Sequence, residues 1–287
     1  MPRIAYVNGR YVRHADAAVH VLDRGFVFAD AVYEVCQVQQ GYIVDLSRHL
    51  DRLDRSLAEI RIRPPMPRAA LIGILRQVLR RNLVTNGLVY LQVTRGVAKR
   101  DHVFPSPEVR PTLVVTAKSL TPVVNAARYA SGVRAATVAD NRWGRVDIKT
   151  VGLLPNVLAR QQAKEAGAQE AIFVDAEGNV TEGGATNLWI VDRAGTLVTR
   201  PADHGILNGI TRTTLMDVAA ALGLAVEERR FSVAEMLEAR EVFVTGATTI
   251  CLPVVSIDGH TIANGHPGMT AQKIREAFFA VAEKTAI

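Results

Sequence analysis

The chain has 287 residues, which is enough to bury a sizeable core as one large domain or two of ordinary size. Its net charge is +6, but the arginines are scattered and no basic run is interleaved with aromatic residues, so a nucleic-acid partner is not indicated. No apolar run approaches the length of a membrane span, and the first residues lack the apolar stretch of a signal peptide. We therefore expect a cytoplasmic protein with no membrane partner and with a preference for anionic ligands.

The two cysteines, Cys36 and Cys251, have neither the spacing of metal ligands nor a framework of further cysteines around them. We expect both to be reduced thiols in or near the core, and we expect no metal site. A single disulfide between them is the less favoured alternative.

The first half of the chain predicts a domain of mixed helices and strands. An Asn-Gly pair between two short apolar runs predicts a β-hairpin over residues 5–12. Residues 88–94 and 111–117 are rich in β-branched side chains and bounded by glycine or proline, so they predict strands. Apolar residues at spacings of four and three predict an amphipathic helix over 47–60, with a stripe formed by Leu46, Leu50, Leu53, Leu57 and Ile60.

The polar, proline-containing stretch 118–125 predicts a domain boundary, with an N-terminal domain of residues 1–120 and a C-terminal domain of residues 121–287. The second half alternates helix and strand signals without an internal repeat. In chain order they are a helix over 155–166 ended by Gly167, a strand over 171–174 that turns into Val180, strands over 187–191 and 196–199, a helix over 211–222 ended by Gly223, a helix opened by a capping box at 232–235, and a last helix over 274–281.

One lysine, Lys149, stands among apolar residues in the stretch 145–155. Desolvation disfavours the ammonium form of a buried lysine, so more of it is the free amine that can attack a carbonyl and form a Schiff base. Taken alone, the pattern is more typical of a lysine whose stem packs while its charged end reaches water. Three further segments, 49–53, 181–187 and 207–212, weigh against that interpretation because together they supply the other needs of a cofactor.

The order of these segments resembles a known family. His-Leu-Asp-Arg-Leu at 49–53, then Lys149, then Val-Thr-Glu-Gly-Gly at 180–184 and Asn-Gly-Ile-Thr-Arg at 208–212 are similar to the fold-type IV pyridoxal-phosphate enzymes. These include D-amino-acid transaminases, branched-chain aminotransferases and aminodeoxychorismate lyases. The resemblance covers nearly the whole chain. It implies a two-domain α+β fold, with a small N-terminal α/β domain and a larger C-terminal domain that has a mixed sheet or barrel-like core and carries Lys149.

The resemblance implies that pyridoxal 5′-phosphate is the cofactor. Lys149 would hold its aldehyde as a Schiff base, and Glu182 would keep the pyridine nitrogen protonated so that the ring can accept electrons. In isolation, Glu182 would be interpreted as an exposed turn residue.

The phosphate of the cofactor has its own set of expected contacts. The sequence Gly-Ile-Thr opens a helix, whose free amides and positive dipole end can point at an anion. The resemblance implies that the amides of Ile210 and Thr211 do so, with Arg52 as the cationic partner and Leu207 as a further cofactor contact. Alone, Arg52 would be interpreted as a solvated helix residue. Thr248 is a further candidate, although glycine and alanine precede it where D-amino-acid transaminases tend to carry hydroxyl residues.

A segment between the two predicted strands of the first half distinguishes members of the family. Arg100 and His102, with Tyr33, match the clamp that holds the substrate carboxylate in D-amino-acid transaminases. A guanidinium holds a carboxylate through two parallel charge-assisted hydrogen bonds. In that group the arginine and histidine come from the neighbouring subunit, so the resemblance implies a homodimer with a shared active site. Without the other motifs, the segment would be interpreted as a basic surface loop.

Together the motifs predict a D-amino-acid transaminase that moves the amino group of D-alanine or D-glutamate to a 2-oxo acid by a ping-pong mechanism, with Lys149 and Glu182 as catalytic residues. A branched-chain aminotransferase is the alternative within the fold, because the apolar region 251–255 does not exclude it. An aminodeoxychorismate lyase or an amine transaminase fits Arg100 and His102 less well. The alternative of another class is a regulatory or nucleic-acid-binding protein that lost catalysis, and the presence of Lys149 and Glu182 weighs against it.

Overall fold

The computed structural model describes residues 3–120 and 122–287, except for the side chains of 122–125. Within these residues the chain divides into two compact units. The first contains the described residues of Met1–Thr121 together with Ile148–Gly152 and Glu283–Ile287, and the second contains Pro122–Asp147 and Leu153–Ala282. Residues 1, 2 and 121 lie outside the described residues, and the expected domain boundary at residue 121 therefore does too.

Helices and strands are interspersed along the chain. The first half contains β1 (Ile4–Val7), β2 (Arg10–Arg13), a 3₁₀ turn (His14–Asp16), α1 (Arg24–Phe28), β3 (Ala31–Gln39), β4 (Tyr42–Val44), α2 (Leu46–Glu59), α3 (Arg68–Arg81), β5 (Gly87–Thr94) and β6 (Thr112–Ser119). The second half contains α4 (Pro122–Ser131), β7 (Val133–Ala139), α5 (Leu154–Glu165), β8 (Glu170–Val174), β9 (Val180–Gly183), β10 (Asn187–Val191), β11 (Leu197–Thr199), α6 (Ile210–Ala221), β12 (Val226–Glu228), α7 (Val233–Leu237), β13 (Glu241–Gly246), β14 (Ile250–Ile257), β15 (His260–Thr261), α8 (Met269–Val281) and β16 (Lys284–Ala286).

The first unit is built on an antiparallel seven-stranded sheet with the strand order β16-β4-β3-β5-β6-β1-β2. Side chains of β3 are buried in alternation, as expected of a strand with one face against a core. Leucines of α2 and α3 pack with the buried valines of this sheet in one apolar cluster. The sheet face that carries Glu34 and Cys36 is therefore inside the unit, and the face that carries Tyr33 is the opposite one.

Local predictions for the first half are confirmed where the signal was strong. The hairpin β1–β2 turns at Asn8 and Gly9, whose φ angles of 46° and 96° match the predicted Asn-Gly turn. Helix α2 begins one residue before the predicted range, and four members of its predicted stripe are buried: Leu46, Leu50, Leu53 and Leu57. Both predicted strands are present as β5 and β6.

The segment Ile148–Gly152 belongs to the first unit because its backbone pairs with β3. The Tyr33 amide donates to the Lys149 carbonyl at 3.1 Å, and the Val151 amide donates to the Ala31 carbonyl at 3.2 Å. Strand β16 joins the same sheet through β4. By contacts, the first unit thus takes in two segments, Ile148–Gly152 and Glu283–Ile287, that lie within the expected C-terminal range 121–287, and the division into domains 1–120 and 121–287 stays a prediction. Pairing between residues distant in sequence brings both segments into the first unit.

The second unit is built on a nine-stranded mixed sheet, with β15 paired to β14 beside the order β12-β11-β10-β13-β14-β7-β8-β9. Strand β7 pairs in parallel with both β8 and β14, and β11 pairs in parallel with β12, whereas the remaining pairs are antiparallel. The expectation of an α+β fold with a mixed sheet in the larger domain is confirmed. Its core includes the stacked rings of Trp189 and Phe243, with centroids 6.1 Å apart.

Predictions for the second half are confirmed for the helices α5, α6 and α8 and for the strand pair β10–β11. The capping box is also present, since the Ser232 side chain accepts from the Glu235 amide at 3.2 Å. Cys36 and Cys251 are both free and buried, as expected. Burial raises the pKa of each thiol well above its ordinary value, so both stay protonated. In the part of the chain that the structure describes, no helix has the length and apolarity needed to cross a bilayer.

Candidate active site

Lys149 lies next to β3 in the first unit. Its side chain is half-buried, and its Nζ atom is 4.2 Å from the centroid of the Tyr33 ring. Its backbone amide donates to Ser56 Oγ at 3.5 Å. A lysine ammonium over an aromatic face is attracted by the ring quadrupole. The amine is therefore held against a ring, rather than simply extended into water as the alternative interpretation of this lysine required.

Tyr33 itself belongs to a small aromatic group on the outer face of β3 and β5. Its ring stacks on that of Tyr90, with centroids 5.6 Å apart. Burial, assisted by Tyr33, raises the pKa of Tyr90 to about 12, and the Tyr90 hydroxyl donates to Gln92 Oε1 at 2.6 Å. Tyr90 is thus a neutral donor at physiological pH. It fixes the position of Tyr33 by stacking and not by charge.

Behind Tyr33, on the buried face of the same strand, Glu34 forms an ion pair with two residues of α2. Arg52 Nε donates to Glu34 Oε1 and Arg52 Nη2 to Glu34 Oε2, both at 2.7 Å, and His49 Nδ1 lies 2.7 Å from Glu34 Oε2. All three side chains are buried. Burial alone would raise the pKa of Glu34, but the charge and hydrogen bonds of Arg52, with help from His49, lower that pKa to about 2.

This arrangement changes the interpretation of Arg52. Because the guanidinium is buried and bound by Glu34 at two positions, Arg52 is not a solvated helix residue. His49 and Arg52 are three residues apart, so they share one face of α2. Sequence reasoning named both residues in one motif but missed Glu34, although it directly follows Tyr33.

Glu182 lies on β9 in the second unit and is buried, so it is not the exposed turn residue that its local sequence would suggest. Its carboxylate accepts hydrogen bonds from different parts of the chain. Asn187 Nδ2 donates to Oε2 at 3.2 Å, the Leu207 amide donates to the same oxygen at 3.1 Å, and Arg142 Nη1 donates to Oε1. A buried carboxylate with this set of donors is stabilised as an anion.

Arg142 is a residue that the sequence motifs did not identify. Its guanidinium also pairs with Asp140, through Nε to Oδ1 at 2.8 Å and Nη2 to Oδ2 at 2.7 Å, and it lies 4.3 Å from the centroid of the Phe173 ring. Burial opposes its charge, but the hydrogen bond to Asp140 and the charge of Glu182 outweigh burial and raise the pKa of Arg142. Arg142 is therefore a fixed cation beside Glu182, with a second carboxylate as support.

The N-terminus of α6 has the features of an anion site. Its N-cap residue is Gly209, which offers no side-chain cap, and the helix opens with Ile210 and Thr211. The first amides of a helix lack intrahelical partners and lie at the positive end of its dipole. A Cβ atom at Gly209 would lie 2.0 Å from Asn187 Oδ1, so only glycine permits this close approach. Asn187 also donates to the Leu207 carbonyl at 2.8 Å. This bond joins β10 to the chain just before α6, and both of its residues bind Glu182.

Thr248, the weakest of the expected phosphate contacts, lies on the turn between β13 and β14 and is exposed. The Thr249 amide closes that turn on the Gly246 carbonyl at 3.0 Å. A hydroxyl on an exposed turn is accessible to a ligand, and its role stays a prediction.

Arg100 and His102 lie on the exposed connection between β5 and β6. Both contact one ring, that of Phe28: the Arg100 guanidinium is 5.3 Å and the His102 ring 5.2 Å from its centroid. The structure therefore brings these two residues together. Tyr33 contacts Tyr90 and Lys149, a different set of neighbours, so the expected clamp of three residues is not assembled by these contacts within one chain.

Comparisons with known proteins agree with the sequence resemblance. Residues 31–257 match the family model described as amino-transferase class IV. The chain is 37% identical over 273 residues to the D-alanine aminotransferase of Staphylococcus haemolyticus, covering 95% of each chain, and 39% identical over 279 residues to that of Bacillus licheniformis, covering 94% of each. It also superposes on the structure of the branched-chain amino acid aminotransferase from Escherichia coli, with a TM-score of 0.89 and 26% identity over 98% of this chain and 94% of that one.

Proposed function

The chain belongs to the amino-transferase class IV family, and on that premise we propose that it moves the amino group between a D-amino acid, such as D-alanine or D-glutamate, and a 2-oxo acid by a ping-pong mechanism. The observation that carries the proposal is the similarity to two D-alanine aminotransferases at 37% and 39% identity over 95% and 94% of the chain. The Arg100 and His102 pair supports it, because a guanidinium with an adjacent imidazole suits the carboxylate that every amino-acid substrate carries.

Enzymes of this class depend on pyridoxal 5′-phosphate, and the side chains described above fit it chemically. Lys149 supplies a half-buried amine, Glu182 a buried carboxylate, and the N-terminus of α6 a helix end without a side-chain cap. When bound, the cofactor supplies an electrophilic carbon that takes up the substrate's amino group and a ring that accepts electrons as the α-proton leaves.

Lys149 is assigned two tasks in this reaction. Its amine would hold the cofactor between turnovers, and when free it would carry a proton between the substrate's α-carbon and the C4′ atom of the cofactor. The ring of Tyr33 at 4.2 Å from Nζ keeps the amine in place and limits its access to water. A lysine that serves as a base needs such a defined position because proton transfer depends on geometry.

Glu182 is assigned to the pyridine nitrogen, which it keeps protonated by offering a negative charge. Hydrogen bonds from Arg142, Asn187 and Leu207 favour the ionised carboxylate and restrict its rotation. Arg142 keeps its own charge because Asp140 binds its other edge. The carboxylate therefore reaches the reaction already ionised and oriented, which lowers the reorganisation that the reaction requires.

The phosphate is assigned to the amides of Ile210 and Thr211, with Arg52 as a cationic partner and Thr248 as a further contact. The positive dipole end of α6 favours a dianion there. The resemblance implies that Leu207 contacts the cofactor. The hydrogen bond from its amide to Glu182 supports that assignment. The ion pair with Glu34 holds the Arg52 guanidinium in its buried position.

We extend the proposal to a homodimer in which Arg100 and His102 serve the active site of the partner. Support comes from exposed apolar side chains on two adjoining segments, 19–26 and 97–104, which are joined by the bond from the Ala98 amide to the Leu22 carbonyl at 3.4 Å. Phe26 is 74% exposed, and Val21 and Val103 are similarly open. Adjoining exposed apolar side chains of this kind are typical of an interface. The cytoplasmic location predicted from the sequence is kept with the proposal.

A branched-chain aminotransferase is the second candidate, because the branched-chain enzyme from Escherichia coli shares the fold closely. A panel of paired D- and L-amino acids with pyruvate or 2-oxoglutarate as acceptor separates the two. We expect turnover of D-alanine and D-glutamate and slow or absent turnover of L-leucine and L-valine. Faster turnover of the L-branched donors would replace the D-amino-acid assignment with the second candidate, and turnover of no amino acid would contradict both.

A further inference from the structure

The buried residue Arg24 binds the backbone of the segment that carries Arg100 and His102. Arg24 opens α1 and is 4% exposed. Its Nη1 donates to the Asp101 carbonyl at 2.6 Å and to the Val103 carbonyl at 3.3 Å, and its Nη2 lies 3.5 Å from the His102 carbonyl. One guanidinium thus contacts three successive carbonyls of an exposed segment. The planar fork of arginine suits such multiple contacts, whereas a lysine offers a single point charge.

The other edge of Arg24 is fixed by a carboxylate inside the first unit. Arg24 Nε donates to Asp30 Oδ2 at 2.8 Å, and Arg95 donates to both Asp30 oxygens, at 2.7 and 3.0 Å. Arg95 also donates to the carbonyls of Ile60 and Arg61 at the end of α2. Asp30 therefore pairs with two buried arginines, of which Arg24 is the one whose Nη atoms reach the carbonyls of residues 101–103.

The same short helix also supports the side chains of the segment. Phe28, the last residue of α1, has the Arg24 guanidinium 4.9 Å from its ring centroid and the Arg100 guanidinium at 5.3 Å. The His102 ring lies at 5.2 Å from the same centroid. Backbone and side chains of the segment are thus both positioned by α1, through Arg24 and Phe28 respectively.

We propose that Arg24 is a positioning residue for recognition of the substrate carboxylate: it holds residues 101–103 so that Arg100 and His102 are presented in one geometry. This inference rests on the proposed function, because it takes Arg100 as the residue that binds the carboxylate. Misplacing a bidentate donor by a fraction of its bond length weakens charge-assisted hydrogen bonds that depend on alignment. Losing Arg24 therefore weakens the binding of carboxylates while leaving the chemistry at Lys149 intact.

The test uses the cofactor-loaded enzyme and propionate, a carboxylate that resembles D-alanine without its amine and competes with it. In Arg24→Lys we expect the inhibition constant of propionate and the KM of D-alanine to rise about tenfold, while kcat changes by less than about threefold. The visible absorbance of the bound cofactor stays as in the native enzyme. Phe28→Leu, which acts on the same side chains by another contact, raises the propionate constant as well.

Arg95→Lys is the matched control for loss of stability. It breaks a bond pair to the same Asp30 at similar burial, but its guanidinium donates to no carbonyl of 101–103 in the part of the chain that the structure describes, and it meets the connection at Phe104, whose ring centroid is 3.7 Å away. We expect its melting temperature to fall at least as far as that of Arg24→Lys, with a change in the propionate constant of less than about threefold. An equal rise in both variants would mean general loosening and would overturn the positioning role.

A double variant separates this inference from the proposed function. Arg100→Ala raises the propionate constant by itself, and adding Arg24→Lys to it raises the constant by less than about threefold further, because the part of the effect that passes through Arg100 is already lost and only the part through His102 remains. A full tenfold rise on the Arg100→Ala background would show that Arg24 acts elsewhere. That result would overturn this inference and leave the proposed function unaffected. An unchanged constant in Arg100→Ala would reject the clamp and the role of Arg24 together, while transamination of D-alanine by the native enzyme still decides the proposed reaction.

Discussion

The Nζ atom of Lys149 lies 4.2 Å from the centroid of the Tyr33 ring, and the backbone of the same two residues is joined by the Tyr33 amide and the Lys149 carbonyl at 3.1 Å. Two residues with separate proposed tasks, cofactor attachment and carboxylate binding, are therefore joined by backbone hydrogen bonds between β3 and the connection from β7 to α5. A backbone connection of this kind supports precise placement of a reacting amine.

Lys149→Ala should abolish covalent attachment of the cofactor and nearly all turnover, because no other amine occupies this position, while the fold is retained. Borohydride reduction of the native enzyme followed by peptide mass mapping should place the pyridoxyl group on Lys149. Lys164→Ala, at an exposed lysine of α5, is the control and should keep both the adduct and the activity. A pyridoxyl group on any other lysine would contradict the assignment.

Glu182→Gln should slow the half-reaction with D-alanine far more than it weakens cofactor binding. The amide keeps the size of the side chain but loses the negative charge that favours a protonated ring nitrogen. Stopped-flow single-turnover rates measure the first effect, and cofactor titration measures the second. Asp140→Asn is the matched control, since it removes the other carboxylate partner of Arg142 and leaves Glu182 in place. Equal slowing in both variants would assign the effect to Arg142 instead of to Glu182.

Glu34→Gln should destabilise the protein by about 3–5 kcal/mol at neutral pH, because it leaves the buried charge of Arg52 without its carboxylate. Chemical denaturation of native and variant protein measures the difference. Asp54→Asn on the same helix is the control: its ion pair with Arg68 is half exposed, so its loss should cost no more than about 1 kcal/mol. Similar losses in both variants would mean that Glu34 is not the energetic partner of Arg52.

Glu34 also contributes to the loss of free energy of unfolding at acidic pH. The pKa of Glu34 is lowered from 4.5 to about 2 in the folded protein, so the unfolded chain binds this proton first as the pH falls. The stabilisation by Glu34 is therefore fully present above pH 4.5 and is lost progressively toward pH 2. Native protein should lose more free energy of unfolding across this window than Glu34→Gln does. Parallel pH dependences would show that Glu34 does not titrate in this way.

The sequence predicted elements whose signals are local. Helix α2 follows from leucines at helical spacing and the first hairpin from its Asn-Gly pair, since each is decided within a few residues. Helix α3 was missed although Leu71, Leu75 and Val78 have helical spacing, so a local signal existed there. Elements of this type need only the pattern of apolar residues.

The ion pairs at the candidate site could not be predicted from local sequence patterns. Glu34 meets His49 and Arg52 across 15 and 18 positions of the chain, and Arg142 meets Glu182 across 40. These pairings depend on strand order and register, which a single sequence does not encode in any short window. The motif order nevertheless identified Lys149, Glu182 and Arg52 through resemblance, which is why the individual residues were named and their partners were not.

Arg100→Ala should weaken the binding of amino-acid substrates by about 1.5–3 kcal/mol, because a charge-assisted pair to the carboxylate is lost while Lys149 still attaches the cofactor. The KM of D-alanine and the inhibition constant of a carboxylate measure this. Arg110→Ala, at an exposed arginine of the same connection, is the control and should change neither. Amines without a carboxylate should be poor substrates of the native enzyme, and their rates should hardly change in Arg100→Ala.

Mixing Arg100→Ala chains with Lys149→Ala chains tests whether Arg100 serves the partner's site. If it does, a heterodimer contains one site with both defects and one site with neither, so activity should rise to a fraction of the native value after subunit exchange. If Arg100 acts within its own chain, each site of the heterodimer keeps one defect and activity stays low. Exchange must be verified by mass spectrometry of differently tagged chains. Absence of restored activity after verified exchange would contradict the shared site, because the intact combination would then have formed without function.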